Sequence, residues 1–142
     1  RLELPLRVPV ELGNGFERQG LVFEPRVVAE AADASGRWQA DANLGAVFGN
    51  ARLNGYFYDV APRYASAERP AYRAAGGLMM TRLGLSLARR ISPDWRVFGF
   101  TRYDNYSHAA NRDSPLFLRN SGLSVGAGFT WTAHRSLARA WE

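Results

Sequence analysis

The residues of this chain that could do chemistry are concentrated in the segment 102–114, "RYDNYSHAANRDS". A serine hydrolase needs a hydroxyl nucleophile, a histidine base and a carboxylate that orients the histidine. The segment supplies candidates for all three roles, namely Asp104, Ser107, His108, Asp113 and Ser114. A catalytic serine also needs a sharp, supported turn, and no such turn is visible here. Because Ser, His and Asp are common loop residues, the sequence favours an ordinary loop over a catalytic triad.

A second polar group lies near the C-terminus, where His134 and Ser136 precede Glu142. This spacing resembles the His-x-Ser arrangement of lipid A deacylases, but the Asn and Gly that accompany it in those enzymes are missing. The chain has no cysteine and only two histidines, and no carboxylates sit at ligand spacing beside them. Transition-metal sites need such ligands, whereas calcium at the acidic loop positions stays open. We therefore predict no enzyme, no cofactor and no transition-metal site.

The elements that would position these residues are β-strands, because apolar and polar residues alternate along most of the chain. The stretch "LSVGAGFTWT" at 123–132 places its large apolar side chains on one parity and small residues on the other. Successive side chains of a strand point to opposite faces, so the stretch predicts a two-faced strand. The same pattern predicts strands at 2–12, 21–30, 37–50, 78–91 and 95–105, and a loop or short strand at 55–60.

These stretches predict an all-β, antiparallel architecture of about seven strands over residues 1–132. Pro5 and Pro9 fall in the first stretch and predict irregular or edge pairing there, since proline has no N–H to donate. The other segments are long loops near 61–77 and 106–120 and a C-terminal tail without strand pattern at 133–142.

Alternation alone leaves two interpretations open for the apolar parity. In a soluble β protein this face packs into a core, and the charged parity faces water. In an outer-membrane barrel the apolar face meets lipid, and the charged parity lines the interior. Apolar stretches of about eight residues, at ~3.3 Å per residue and a ~40° tilt, span roughly 20 Å, close to a lipid-facing band.

Two sets of residues follow from the barrel interpretation. Aromatic side chains at the ends of the apolar parity are typical of interfacial girdles. The lipid-facing girdle candidates are Trp38, Phe48, Trp95, Tyr103, Phe129 and Trp131. The lumen-facing charged candidates on the opposite parity are Arg82, Arg90, Arg96, Arg102 and Asp104.

The net charge of the 142-residue chain is +5, which permits contact with anionic lipid, lipopolysaccharide or nucleic acid. The eighteen Lys and Arg residues are spread along the chain with no dense block, so we predict no nucleic-acid partner. The absence of cysteine excludes a disulfide scaffold. No apolar run approaches the ~18 residues that a spanning helix needs.

Three stretches in sequence order carry a resemblance to a known family. They are "GYFYDVAPRYASAERPAYRAAGG" (55–77), "RRISPDWRVFGFTRYDNYSHAANRDSPL" (89–116) and "GLSVGAGFTW" (122–131). Together they resemble the C-terminal half of the MipA/OmpV family, and residues 1–50 look like the middle strands of such a protein. Members of this family are longer and end on a strand with a terminal aromatic. Single-chain bacterial barrels have an even number of strands, so about seven strands predict either an additional strand around 52–60 or a partial barrel, and we favour the partial barrel.

The resemblance implies an outer-membrane β-barrel of Gram-negative bacteria. It also implies a non-catalytic scaffolding role, with a murein-degrading lytic transglycosylase or another cell-wall enzyme as partner and outer-membrane lipid or lipopolysaccharide around the barrel. Two alternatives stay open from the residues themselves. One is a small-solute channel through a charged lumen, and the other is a soluble basic β protein that binds an acidic ligand.

Overall fold

The computed structural model describes residues 1–13 and 16–133, which form an eight-stranded and a two-stranded antiparallel sheet with a single short helix. The strands are β1 (Leu2–Glu3), β2 (Leu6–Arg7), β3 (Val10–Glu11), β4 (Glu17–Arg18), β5 (Val22–Phe23), β6 (Arg26–Ala32), β7 (Trp38–Gly49), β8 (Gly77–Arg90), β9 (Trp95–Asn105) and β10 (Ser121–Trp131). The helix α1 covers Ala51–Tyr58, and a 3-10 turn covers Pro62–Tyr64. In this part of the chain, no helix has the length and apolarity to cross a membrane.

The short strands β1 and β2 lie end to end along one path, and β3 follows them in the chain but pairs with β4 in the separate two-stranded sheet. Leu2 pairs with Val27 and Leu6 pairs with Phe23, which is one continuous antiparallel register. Pro5 and Pro9 interrupt the path because they cannot donate, yet their carbonyl oxygens still accept, at 3.0 Å from the amide of Glu24 and at 2.9 Å from that of Gln19. The predicted irregular pairing at the two prolines is therefore confirmed.

The strands β5 and β6 likewise form one path beside β7. Val22 pairs with Gly49 and Arg26 with Gly45, so the register passes through Pro25 without a shift. The described residues therefore contain ten strands, and the predicted stretch 21–30 corresponds to β5 and β6 together. The sheet order is β1-β6-β7-β8-β9-β10, with β5 extending the line of β6. β1 and β10 each pair on one side only, so the described strands form an open sheet and no closed barrel.

The loop or short strand expected at 55–60 and the additional strand expected around 52–60 are wrong up to Tyr58, because α1 covers Ala51–Tyr58; Val60 forms only an isolated bridge with Tyr72. Asn50 caps the helix, and its side-chain oxygen accepts from the backbone N–H of Leu53 at 3.0 Å. Leu53 is buried and packs with Val47 of β7 and Met79 of β8. A cap and one buried helical side chain therefore decide the local structure, although the aromatic residues of the segment suit a strand equally well.

The cross-strand register gives the sheet two chemically different faces. One row crosses it through Val27, Leu44, Leu83, Tyr103 and Leu123. The adjacent row, one residue along each strand, crosses it through Arg26, Gly45, Arg82, Asp104 and Gly122. We call the two sides the apolar face and the charged face.

The two ends of the sheet differ as well. The short connections 33–37 and 91–94 share one end, which we call the turn end. The segments 50–76 and 106–120 share the other, which we call the loop end, and α1 covers it. The buried cluster beneath α1 is formed by Val47, Leu53 and Met79.

Candidate functional site

The centre of the charged face is Arg82 of β8, which holds two carboxylates from different strands. Its Nε donates to Oδ1 of Asp104 at 2.7 Å, and its Nη2 lies 3.3 Å from Oδ2 of the same residue. Its Nη1 donates to Oε1 of Glu24 at 3.2 Å. Glu24 is only 3% exposed, and a carboxylate so buried is stable as an anion only where cations and donors surround it.

The strand register explains why these groups meet. Arg82 lies directly opposite Asp104 on β9 and opposite Gly45 on β7. Gly45 leaves no side chain on the charged face, so Arg82 reaches across β7 to Glu24 on the next strand path. The site at Gly45 is also tight, because an added Cβ would lie 2.7 Å from both the Cβ of Arg26 and the carbonyl oxygen of Pro25.

More arginines extend the network to both sides. Glu24 also pairs with Arg7, and with Arg26 at 3.8 Å. Arg26 in turn pairs with Glu3 at 2.5 Å. On the other side, Nε of Arg102 lies 3.4 Å from Oδ2 of Asp104. Arg1 joins the network by pairing with Glu3 and with Glu30. The arginine side chains of this cluster outnumber its carboxylates by five to four, since Arg1, Arg7, Arg26, Arg82 and Arg102 face Glu3, Glu24, Glu30 and Asp104. The charged face thus carries a connected ion-pair network with one excess positive charge.

The structure brings together three of the five lumen candidates, Arg82, Arg102 and Asp104. Arg90 and Arg96 lie on the same face but at the turn end, opposite each other on β8 and β9. There Arg96 donates to Oε1 of Gln39 at 2.7 Å. Glu24, Arg7 and Arg26 were not selected as site residues from the sequence, because their role depends on the strands beside them.

A shallow cavity of about 420 Å³ lies on the charged face beside this second group. Asp41 and Ser86 line it, and the hydroxyl of Ser86 donates to the Asp41 carboxylate. Next to it, the ring of Phe100 covers Gly126, where an added Cβ would lie 2.5 Å from the ring. Phe98 covers Gly128 in the same way. Two phenylalanines therefore lie among the charges, on the same parity of β9 as Arg96 and Arg102.

The six girdle candidates lie on the apolar face in two groups. Four of them are at the turn end, where the ring of Trp95 is 5.4 Å from Phe129 and 6.2 Å from Trp131. The fourth is Trp38, over whose ring the guanidinium carbon of Arg89 lies at 4.8 Å. The remaining two, Phe48 and Tyr103, lie nearer the loop end, where Phe48 stacks on Phe23 with centroids 6.4 Å apart.

The catalytic candidates of the segment 102–114 point to different partners. The carboxylate of Asp104 pairs with Arg82 on the charged face. The hydroxyl of Ser114 donates to the carbonyl oxygen of Tyr58 at 2.8 Å, which ties this loop to α1. His108 is exposed, and no hydrogen bond joins it to a serine or a carboxylate within the described part of the chain. His134, Ser136 and Glu142 lie outside the described residues. No group of three His, Cys, Asp or Glu residues suited to a metal occurs among the described residues.

Two buried asparagines, which the sequence analysis did not select, hold the loop end together. The amide of Asn54 in α1 donates to the carbonyl oxygen of Ala75 at 2.8 Å. Asn111 also binds Ala75, accepting from its N–H and donating to its carbonyl oxygen, both at 2.9 Å. Nearby, burial raises the pKa of Tyr58, and the neighbouring Tyr106 adds to the effect. These contacts make the loops a fixed cap on the sheet.

The fold and the site define an all-β protein whose antiparallel sheet carries an ion-paired face and an apolar face. The chain belongs to the MipA family, whose model, described as MltA-interacting protein MipA, matches residues 2–133. The family is associated with the bacterial outer membrane. The match confirms the resemblance and extends it over residues 1–50. No curated protein and no solved structure matches the chain significantly.

Proposed function

We propose that this chain forms strands of an outer-membrane β-barrel that docks a lytic transglycosylase, the class of enzyme to which the family description refers, without itself doing chemistry. The apolar face would meet lipid, and the charged face would line the interior. The girdle candidates and the lumen candidates keep these roles as part of the proposal.

One observation carries the membrane orientation. On β8 the leucines of the apolar face are exposed and the side chains of the charged face are largely covered, which is the reverse of a water-soluble sheet. Leu83, Leu85 and Leu87 are 43%, 47% and 48% exposed. On the opposite face of the same strand, Ala88 is 8% exposed and the Arg82 side chain only 19%. A soluble sheet would cover its leucines and leave its arginines in water. Lipid supplies the cover that the leucines lack within the described residues.

The ion-pair network supports the interior assignment of the charged face. Arg82 and Glu24 attract each other strongly only where water is scarce, and each is surrounded by counter-charges. Paired charges of this kind fill a narrow barrel interior and leave few unpaired charges at its centre. The arrangement favours a structural wall over a conducting pore, so the small-solute channel stays the second candidate.

The turn end is the surface that we assign to the periplasmic partner. Outer-membrane barrels place short turns in the periplasm and long loops outside, and murein-degrading enzymes act on the periplasmic side. The turn 33–37 is well ordered, since the Asp33 carboxylate accepts from the N–H of Trp38 at 2.8 Å and from the Ser35 hydroxyl. The last residue of this turn, Arg37, is exposed and is available to a partner.

The membrane assignment is tested on the full-length gene product by isolating outer membranes and comparing boiled with unboiled detergent extracts on a gel. We expect a band in the outer membrane whose mobility changes on boiling, as a closed barrel unfolds. A water-soluble protein with one unchanging band would contradict the proposal and favour the soluble alternative.

The docking assignment is tested by binding of the purified lytic transglycosylase to the immobilised full-length product. Arg37→Glu at the turn end is expected to weaken binding several-fold, because it reverses an exposed charge within the contact. Arg73→Glu makes the same change at the loop end and serves as the matched control. Weakening by Arg73→Glu alone would place the partner on the loops instead.

A further inference from the structure

Arg89 differs from the other residues of its face. Along β6–β10 the side chains on the apolar face are aliphatic, aromatic or uncharged polar, with Arg89 as their sole charged member. It lies opposite Trp38 on β7 and opposite Val97 on β9. The arginines at the centre of the charged face, such as Arg82, have carboxylate partners, whereas Arg96 at the turn end of that face donates to Gln39. Arg89 forms no ion pair with any carboxylate of the described residues.

The position of Arg89 is the edge of the apolar face at the turn end. Leu83, Leu85 and Leu87 precede it on the same face, and the chain reaches the turn 91–94 directly after it. Trp38, Trp95 and Trp131 occupy the same end of the face. Aromatic rings gather at the depth of the lipid headgroups, so this row of the sheet marks the boundary between the lipid chains and water.

The contact with Trp38 leaves the hydrogen-bonding edge of Arg89 unused. Its guanidinium carbon lies 4.8 Å from the centre of the Trp38 ring, and the ring attracts the cation. No hydrogen bond of the Arg89 guanidinium occurs within the described residues, so its N–H groups are open to a ligand. These donors form a fork that matches two oxygens of a phosphate. An unpaired cation beside lipid is costly unless an anion accompanies it.

We propose that Arg89 and Trp38 form a binding site for the phosphate of an anionic phospholipid in the membrane leaflet at the turn end. The inference rests on the membrane orientation proposed above. The charge of Arg89, its free fork and the depth of the surrounding tryptophans select this occupant. The centre of the charged face offers no equivalent, because its arginines already hold carboxylates.

The test titrates phosphatidylglycerol into the full-length product in neutral detergent and counts bound lipids by native mass spectrometry. Arg89→Gln is expected to weaken the tightest lipid about fivefold to tenfold, the size expected for one interfacial arginine. Arg89→Lys is expected to weaken it less, since it keeps the charge and loses the fork. Arg90→Gln is the matched control, because it removes the same charge one residue along β8 from the opposite face.

The outcomes separate this inference from the proposed function. Equal lipid binding by the wild type and Arg89→Gln, both with heat-modifiable bands, would overturn the phospholipid site and leave the barrel standing. An equal loss in Arg90→Gln would overturn it too, since net charge would then explain the binding. A wild type that fails to partition into membranes would overturn the barrel itself.

Discussion

Arg82 and Arg89 are seven residues apart on β8, and the same side chain has opposite surroundings at the two positions. Arg82 lies on the charged face, where it is shielded from solvent and shared by Glu24 and Asp104. Arg89 lies on the apolar face, where an indole ring is its neighbour. The parity of a residue along the strand therefore decides its environment more than its chemical type does.

The comparison extends to the two faces as a whole. The charged face is held by directional contacts between named partners, so each substitution there leaves a specific group without its counter-charge. The apolar face within the described residues has ring contacts but no ion pairs, and its stability depends on the surrounding medium. Substitutions on the two faces should therefore destabilise the protein for different reasons: lost counter-charges on the charged face, and an unsuitable contact with the medium on the apolar face.

The largest expected effect follows from Arg82→Met on the charged face. The substitution leaves Glu24 and Asp104 buried without the cation that they share, and breaking a buried pair in this way costs about 3–5 kcal/mol. The measurement is the free energy of unfolding in urea, followed by the heat-modifiable band of the folded protein.

The matched control for this substitution is Arg102→Met on the same face. Arg102 also approaches Asp104, at 3.4 Å, but its side chain is 46% exposed. Its loss should cost about 1 kcal/mol or less, because solvent screens the pair. Equal losses for the two variants would show that the network has no centre at Arg82.

The next effect concerns the apolar face and is measured with Leu85→Arg. If this face meets lipid, a charge near the middle of the band costs about 2–4 kcal/mol of unfolding free energy. If it meets water, the half-exposed position should tolerate the change within about 0.5 kcal/mol. Ile91→Arg introduces the same charge in the turn and should be tolerated in either case. A neutral result for Leu85→Arg would remove the main support for the lipid orientation.

Two glycines give a smaller and purely steric comparison of the faces. Gly45→Ala places a Cβ 2.7 Å from the Pro25 carbonyl oxygen on the charged face. The crowding should cost about 1–3 kcal/mol, because backbone atoms must move. Gly99→Ala on the apolar face meets nothing nearer than the Gly126 carbonyl oxygen at 3.6 Å, an ordinary contact. Matching unfolding curves for the two variants would contradict the tight packing at Gly45.

The strands themselves were predictable, because alternation is a local property of each stretch. The predicted stretches 78–91, 95–105 and 123–132 match β8, β9 and β10 within two residues. The helix α1 was missed because its signals are one capping residue, Asn50, and one buried side chain, Leu53. Eight residues offer too few helical turns for a periodic pattern.

The network around Arg82 could be predicted only as a face and not as a set of partners. Parity places Glu24, Arg82 and Asp104 on one side of the sheet, but contact between them depends on which strands are neighbours and in which register. Phe98 and Phe100 were missed for a related reason. Large rings on a charged parity fit because the strand opposite supplies glycines, and this pairing becomes visible only in the folded sheet.

The smallest expected effect lies at the turn end and depends on pH. The hydrogen bond from the Ser35 hydroxyl, with that from the Trp38 amide, holds the pKa of the Asp33 carboxyl below its ordinary value of 3.8. A lowered pKa in the folded state means that the ionised carboxylate stabilises the turn above pH 3.8, and that this stabilisation is lost as the pH falls through the lower folded value.

Protection of the Trp38 amide from hydrogen exchange should therefore be constant near neutral pH and decrease in acid. Asp33→Asn should remove the pH dependence while leaving β8 and β9 unaffected. An acid-dependent loss of protection that persists in Asp33→Asn would assign the titration to another group. The carboxylate of Asp33 would then not be what orders the turn that contains Arg37.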